Sequence, residues 1–274
     1  MMARNMRYIL IPALLLAFAS ASELSAQNLS DYITVQQGQF KPDIDLTSWT
    51  ELIEWGGRAE ELDKPEYAIS YFTEAFRVNP YDPTPLEHVE EINKHTGRKR
   101  ENKQLFLDGM EQLTERIAIE GLQPETMACM ERLLMGVVRA DGNNIPARYY
   151  VLKLCNQSGF PEYADLAASL MDDLIYLADD KTHYGEYAYA VGCKLLTLTE
   201  VGDMIGLIEP NVSKLEKSED GVCSLVALSL LYGSLKNKHK AEKYMKMAHK
   251  ADKSGESVDY WMAVFAGTAG APEE

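Results

Sequence analysis

The hydrophobic and polar positions from residue 47 onward follow the 3.6-residue period of an α-helix, and the two-residue alternation of a β-strand is nearly absent. Segments of helical length end at glycine, proline, aspartate or asparagine. Ser48 and Glu51 form a capping box, and Pro65 stands where a second helix begins. Short helices joined by short turns are typical of antiparallel helical hairpins stacked in series. We therefore predict an all-α fold.

The segment 49–82 carries small and large apolar residues at the positions of a helix–turn–helix repeat of about 34 residues. Small residues allow two helix backbones to approach, and large ones fill the space beside them. Tyrosine is usual at one further position, where Ala59 stands. The segment closely resembles one tetratricopeptide repeat, on the evidence of Leu52, Trp55, Gly56, Ala68, Phe72, Ala75 and Pro80.

Other parts of the chain repeat this pattern with more departures. Near the C-terminus Ser229 replaces the glycine and Lys253 the proline, while six positions match: Leu225, Leu228, Tyr232, Ala241, Met245 and Ala248. The segment 147–176 has the same hairpin pattern, and 106–138 and 184–208 are more degenerate. The resemblance implies an α-solenoid of about six hairpins over residues 47–267. A last helix at 258–265 is expected to cover the open end.

Tetratricopeptide arrays generally bind other proteins, and the first helix of each pair lines a concave groove. The resemblance therefore implies a protein partner, and it implies groove positions at Thr50, Ile53, Gly57 and Glu60. This set lacks the lysine and asparagine side chains with which family members clamp a C-terminal carboxylate. Extracytoplasmic members often serve envelope assembly, secretion or polysaccharide uptake, and the partner's identity stays open.

The N-terminus has the order of a secretory signal peptide. Arg4 and Arg7 precede an apolar run at 8–19, and small residues follow at 19–21 and 24–26. We predict a cleaved bacterial signal at 1–26, a periplasmic or secreted protein, an extended lead-in at 27–46 and a disordered tail at 268–274. A retained anchor is the alternative, but the run is shorter than the roughly 20 residues that span a bilayer. The mature chain is predicted to have no stable membrane span.

The formal net charge is −15, which opposes broad nucleic-acid binding. One segment, 234–253, runs against this charge with seven lysines. It is either a docking face for an acidic partner or a solvated outer helix face. The basic-face candidates are Lys236, Lys238, Lys240, Lys243, Lys246 and Lys250, with Lys253 beyond them.

Catalytic motifs are missing from the sequence, so we predict no enzyme activity, no cofactor and no metal. His183 and Glu186 share a helix face and could form half of a metal site, but no third ligand is evident. The four cysteines are too widely spaced for a zinc site, and they are equally consistent with disulfides and with buried thiols.

The tyrosines allow two interpretations. Tyr184, Tyr187 and Tyr189 cluster near a helix start, and Tyr149 and Tyr150 are adjacent. They either pack between helices or line a concave wall that contacts a peptide or glycan. The leading prediction is a non-enzymatic interaction scaffold of the cell envelope. The alternatives are a glycan- or peptide-binding module of an uptake system and an enzyme whose carboxylates converge on His183.

Overall fold

The computed structural model describes residues 45–178, 180–252 and 254–267, and this part of the chain is helical with no β-strand. The prediction of an all-α fold is confirmed. The predicted signal peptide, most of the lead-in, Lys253 and the predicted tail at 268–274 lie outside the described residues.

The described residues form two compact units, 45–97 and 98–267. The first holds helices α1 (Trp49–Glu61), α2 (Pro65–Val78) and α3 (Thr84–His95). The side chain of Ser48 accepts a hydrogen bond from the backbone N–H of Glu51 at 3.4 Å, as the capping box predicts. Pro65 begins α2, and Gly97 follows α3 with a φ of +79°, a value that favours glycine.

The second unit continues the series of helices, with short 3₁₀ turns between several of them. Gly121 and Gly159 follow α4 and α6 at positive φ, and Pro124 begins α5. The helices are α4 (Asn102–Glu120), α5 (Pro124–Ala140), α6 (Ile145–Ser158), α7 (Ala164–Leu177), α8 (Tyr184–Leu195), α9 (Val201–Ile208), α10 (Val212–Leu215), α11 (Val222–Ser234), α12 (Lys238–Ala251) and α13 (Glu256–Phe265).

Helices pack mainly against their neighbours in the chain. In the first unit α2 contacts both α1 and α3; in the second, the largest pairs are α4 with α5, α6 with α7, α7 with α8, and α11 with α12. Some helices also contact the second helix along the chain: α6 contacts α8, and α11 contacts α13. Neighbour pairing of this kind is what a series of hairpins requires.

A glycine and a phenylalanine bring α1 and α2 together. A Cβ atom on Gly56 would lie 2.7 Å from Cε1 of Phe72, so only glycine fits unless the ring moves. Phe72 is buried, as are Ala68 and Ala75 on the same helix. Trp55 is half-buried. The guanidinium carbon of Arg58 lies 4.9 Å from the centre of the Trp55 ring, so this ring is only partly enclosed by the core.

The pair α4–α5 uses the same contact with the roles exchanged. Phe106 lies on the first helix, Gly136 lies on the second, and a Cβ on Gly136 would overlap the Phe106 ring. The sequence of this segment matches the repeat poorly, yet the close approach of the two helices is kept.

The pair α11–α12 joins its helices through a polar contact. Ser229 is buried, and its hydroxyl donates a hydrogen bond of 2.8 Å to the carbonyl oxygen of Ala241. After α12 the buried carboxylate of Asp252 accepts hydrogen bonds from the backbone N–H groups of Ser254, Gly255 and Val258, at 3.1, 2.9 and 2.8 Å. These bonds turn the chain into α13, the predicted last helix, which packs on α11.

Candidate binding surfaces

The predicted groove residues lie along one face of α1. Thr50 and Glu60 are exposed, and Ile53 and Gly57 are half-buried. Apart from Gly57, its two chain neighbours and the backbone of α1, no described atom lies within 4 Å of the place where a Cβ on Gly57 would stand, so this face is open there. The carboxylate of Glu60 lies 3.9 Å from Nδ1 of His88 on α3. The four residues are therefore accessible, and they offer one charged side chain.

The predicted basic face is partly neutralised by the protein's own acids. Lys238 lies 3.8 Å from Glu242, and Lys250 lies 3.9 Å from Glu216. Lys240 pairs with Glu209 at 2.7 Å. The other three candidates are exposed, and they are Lys236, Lys243 and Lys246.

The Glu209 cluster, made of Glu209, Tyr232, Lys240 and Tyr244, explains why Lys240 points inward. Tyr232 and Tyr244 donate hydrogen bonds of 2.6 and 2.7 Å to the carboxylate of Glu209. Lys240 donates to the same carboxylate at 2.7 Å and to the Tyr232 oxygen at 2.9 Å. The bond from Lys240, followed by those from the two tyrosines, lowers the pKa of Glu209 to about 2. The cluster ties the end of α9 to α11 and α12, so Lys240 has a structural role.

The clustered tyrosines do not share one environment. Tyr187 is 1% exposed and belongs to the core, with the ammonium of Lys214 4.6 Å from its ring centre. Tyr184 is half-buried, and Lys217 lies 5.3 Å from its ring. Tyr189 is also half-buried but faces Tyr149 on α6, with ring centres 5.3 Å apart and planes at 89°. The structure thus brings Tyr149 and Tyr189 together and sends Tyr187 inward.

We call the surface around these two rings the tyrosine wall: Tyr149, Lys153 and Asn156 on α6, with Tyr189 and Cys193 on α8. The ammonium of Lys153 lies 4.9 Å from the centre of the Tyr149 ring and 5.8 Å from that of Tyr189. Asn156 donates hydrogen bonds of 3.1 Å to the Tyr189 hydroxyl and 3.2 Å to Sγ of Cys193. The wall therefore offers aromatic edges, an amide and a cation.

One carboxylate lies beside α8, the helix of Tyr189: a Cβ on Gly185 would lie 3.7 Å from Oδ2 of Asp220. Asp220, just before α11, is open to solvent, yet the protein around its carboxyl is dense enough that desolvation raises its pKa. Lys153 opposes that rise, while Glu219 and Glu186 add to it. Glu186 also pairs with Nδ1 of His183 at 3.4 Å.

An acidic stripe lies on α4, the helix that is bonded to α6 through Tyr150. The hydroxyl of Thr114 donates a 2.8 Å hydrogen bond to the Tyr150 oxygen. Asp108, Glu111 and Glu115 follow one face of α4. Desolvation raises the pKa of Asp108. The pKa of Glu111 is raised by desolvation and by repulsion from Asp108 and Glu115.

Chemistry at the wall is limited by the state of its groups. No cluster of three histidine, cysteine, aspartate or glutamate side chains suits a metal ion in the described part of the chain. Burial raises the pKa of the Cys193 thiol, which disfavours the thiolate that a nucleophile requires. None of the four cysteines, all of which are described, forms a disulfide, and burial raises the pKa of Cys155 to about 11 and that of Cys223 to about 12. The structure therefore favours the interpretation as free thiols, of which Cys129, Cys155 and Cys223 are buried and Cys193 is half-buried.

Sequence reasoning found the two tyrosines but missed Lys153, Asn156, Cys193 and Asp220. The spacing of residues 149, 153 and 156 places them on one helix face, and 189 and 193 share another. That spacing was visible in the sequence. What was not visible is that these two faces meet, since α6 and α8 are separated by α7.

Two comparisons with known proteins bear on the chain. No family model and no curated protein matches it. Within residues 45–178, 180–252 and 254–267, none of the helices combines the length and the apolar character that crossing a membrane requires. The tetratricopeptide resemblance accordingly stands on the chain's own residues.

Proposed function

We propose that the protein is a tetratricopeptide-like α-solenoid that serves as a non-enzymatic protein–protein interaction scaffold of the bacterial cell envelope. The neighbour pairing of the helices and their contacts with the next helix but one support the solenoid. The small residues at three helix crossings, Gly56, Gly136 and Ser229, support the repeat. The sequence of the N-terminus supports an extracytoplasmic location.

The tyrosine wall is the observation that carries this function. In the repeat family the first helices of successive pairs line the concave surface, and α6 and α8 hold these places in their pairs. If the facing side chains of α6 and α8 served only to pack the core, we would expect them to be apolar. Tyr149, Tyr189 and Asn156 instead keep polar atoms and accessible surface, a composition that suits a protein interface.

A glycan- or peptide-binding module of an uptake system is the second candidate. Its support is the combination of tyrosines with Asn156 and Asp220, which can bind sugar hydroxyls. Against it, Lys153 lies over both tyrosine rings, where the flat face of a sugar would stack. A protein partner needs no open ring face, because it can use the ring edges and phenol groups.

The basic face and the α1 groove are each a further proposed contact surface for a protein partner. Three lysines of the basic face already pair with acids, so its available charge is carried by Lys236, Lys243 and Lys246. Exposed ion pairs and charges usually contribute about 0–1 kcal/mol each. The wall is therefore the stronger candidate for affinity.

A crosslinking pull-down from envelope extracts tests the proposal. The bait is the chain from residue 27 onward, compared with Tyr149→Ala/Tyr189→Ala and with Lys236→Glu/Lys243→Glu/Lys246→Glu. Tyr176→Ala is the matched control, because Tyr176 is 84% exposed on α7. We expect one reproducible protein that the wall variant loses and the control retains. Recovery of no reproducible protein, or equal capture by every variant, would contradict the function. Thermal melts confirm that each variant is folded.

A further inference from the structure

Two turns of the molecule share one backbone conformation. The first joins α1 to α2, and the second joins α11 to α12. In each, the two residues after the helix cap donate backbone hydrogen bonds of 3.0 and 2.9 Å to carbonyl oxygens in the last turn of the helix. This is the Schellman motif, whose first residue after the cap has a left-handed conformation. Here these residues are Asp63, with a φ of +53°, and Lys236, with a φ of +58°.

Asp63 and Lys236 stand at a position that glycine usually fills. Five other residues in the described part of the chain have a positive φ, and all five are glycines. A Cβ atom makes this conformation unfavourable, more so for lysine than for aspartate. A charged side chain that is retained in an unfavourable backbone conformation points to a use for its charge. The two charges at these equivalent positions have opposite signs.

The residues around each turn extend its charge. Residues 60–66, the acidic turn, hold four carboxylates and one lysine, whereas residues 234–240, the basic turn, hold three lysines and no carboxylate. Carboxylates of Glu209 and of α12 pair with two of these lysines, and Lys236 has no ion pair among the described residues of its unit. Two more exposed lysines, at 243 and 246, follow on α12. The acidic turn is therefore negative, and the basic turn with the start of α12 stays positive after its internal pairs are counted.

An exposed leucine stands at the tip of each turn. Leu62 is 62% exposed and Leu235 is 55% exposed, and each is the cap residue directly before the left-handed residue. Covering these two side chains would add the gain of apolar burial to the attraction between opposite charges.

We propose that the acidic turn of one copy of the protein binds the basic turn of another copy. The carboxylate of Asp63 pairs with the ammonium of Lys236, and Leu62 and Leu235 cover each other. Contact between two different surfaces of identical chains is head-to-tail, so it closes into a ring or continues as an open series. The proposal goes beyond the scaffold function and does not depend on the tyrosine wall.

A second copy accounts for both turns at once. An unrelated acidic protein could cover the basic turn, but it would leave the acidic turn without an occupant. The net charge of −15 makes copies repel each other at long range. At 0.15 M salt, however, exposed charges further apart than about 8 Å are largely screened, so the opposite charges in direct contact decide the outcome.

Sedimentation velocity of the chain from residue 27 onward, from micromolar to millimolar concentration at physiological salt, tests the proposal. We expect weak, concentration-dependent association, because the two turns are small surfaces. Asp63→Lys and Lys236→Asp should each weaken it at least roughly tenfold, since each places like charges opposite each other. Asp165→Lys and Lys99→Asp make the same charge changes at exposed positions and should associate like the parent chain.

The direction of the Asp63→Lys effect separates a specific contact from general repulsion. This change brings the net charge closer to zero, so general repulsion alone predicts stronger association. The proposal predicts weaker association. Mixing Asp63→Lys copies with Lys236→Asp copies should restore association, because each variant then meets a turn of opposite charge. The double variant Asp63→Lys/Lys236→Asp should associate by itself for the same reason.

Two further variants separate loss of contact from loss of fold. Asp63→Gly/Lys236→Gly relieves the left-handed conformation, so it should raise the melting temperature by a few degrees while it weakens association. Leu62→Ser/Leu235→Ser should also weaken association. Leu196→Ser is the matched control, because Leu196 is the cap residue of α8 and is 56% exposed.

A monomer at every concentration overturns the proposal. Association that the charge reversals leave unchanged, or that the mixture of the two variants fails to restore, overturns it as well. The scaffold function is decided separately by the pull-down, whose result depends on the Tyr149→Ala/Tyr189→Ala variant and not on the turns. Either conclusion can therefore fail while the other stands.

Discussion

The hairpins α1–α2 and α11–α12 match the same repeat, yet they join their helices by different chemistry. In α1–α2 the backbone of Gly56 lies against the ring of Phe72. In α11–α12 the equivalent position is Ser229, whose hydroxyl donates to the carbonyl of Ala241. One crossing is closed by a ring fitted to a glycine, and the other by a buried hydrogen bond.

The difference shows what the repeat position demands. The repeat requires a small side chain where two helices cross. A serine meets this requirement provided that its hydroxyl makes a hydrogen bond. The pair α4–α5 gives a third solution, with Phe106 and Gly136 in exchanged roles. The last hairpin also gains the Glu209 cluster, so polar bonds contribute more to its stability than to that of the first.

Phe72→Ala should have the largest effect. The ring is buried against Gly56, and removing a buried phenylalanine costs about 3–5 kcal/mol of unfolding free energy. Met245→Ala is the matched change in α11–α12, and the half-buried methionine should cost only about 1 kcal/mol, below the range for buried sites. Hydrogen exchange of the α2 and α12 amides measures both losses. Equal losses would mean that the two crossings are closed in the same way.

Gly56→Ser transfers the small residue of the last hairpin into the first. Its Cβ would overlap the Phe72 ring, and overpacking of this kind costs about 1–3 kcal/mol. Adding Phe72→Met recreates the Ser229–Met245 combination and should restore part of the loss. A double-mutant cycle in urea measures the coupling. Purely additive effects would show that ring and glycine are not fitted to each other.

Glu209→Gln probes the polar side of the comparison. The carboxylate accepts bonds from Lys240, Tyr232 and Tyr244, and the Glu209 side chain is 31% exposed. Bonds to charged groups contribute about 1.5–3 kcal/mol, and screening by water reduces this to an expected loss of about 1–2 kcal/mol. Glu200→Gln, an exposed control before α9, should change little. The measurement is denaturant unfolding; equal stability of the two variants would contradict a structural role.

The carboxylate of Glu209 also predicts that folding stability depends on pH. The pKa of Glu209 is about 2 in the folded chain, below its ordinary value of 4.5. The contribution to stability is therefore complete above pH 4.5 and is lost as the pH falls toward 2. Comparing parent and Glu209→Gln unfolding across this range isolates the effect. Parallel curves would argue against it.

Ser229→Ala should have the smallest effect. It removes one neutral hydrogen bond to Ala241 and keeps a small side chain, so the expected loss is about 1 kcal/mol. Ser213→Ala, at an exposed position, is the control. Unfolding in urea compares the two. A loss as large as that from Phe72→Ala would indicate that the hydroxyl, and not the small volume, closes the crossing.

Local rules predicted most of the fold. The Ser48 cap, Pro65 and Gly97 act within a few residues of themselves, so their positions in the sequence decide where helices begin and end. Gly56 and Phe72 could also be paired, because the repeat fixes their spacing. The sequence could not separate Tyr187 from Tyr189, since the orientation of α8 decides which of them faces the core.

The candidate surfaces depended on contacts between distant parts of the chain. Asn156 meets Tyr189 33 residues later, and Lys240 meets Glu209 31 residues earlier. A helical period shows which side chains share a face, but it does not show which faces meet. Lys240 therefore resembled an exposed lysine in the sequence, although its ammonium is bonded to Glu209.

The turn formed by Asp252 has a consequence for how the chain comes apart. Helix α13 buries Val258, while its other side chains are half-buried or exposed, whereas α11 beneath it is buried along most of its length. Few buried contacts mean a low free energy of local opening. Detachment of α13 is therefore expected to require little free energy, and it would uncover the part of α11 on which α13 packs. Resistance to proteolysis at that end then depends on the bonds of the Asp252 carboxylate and on the burial of Val258.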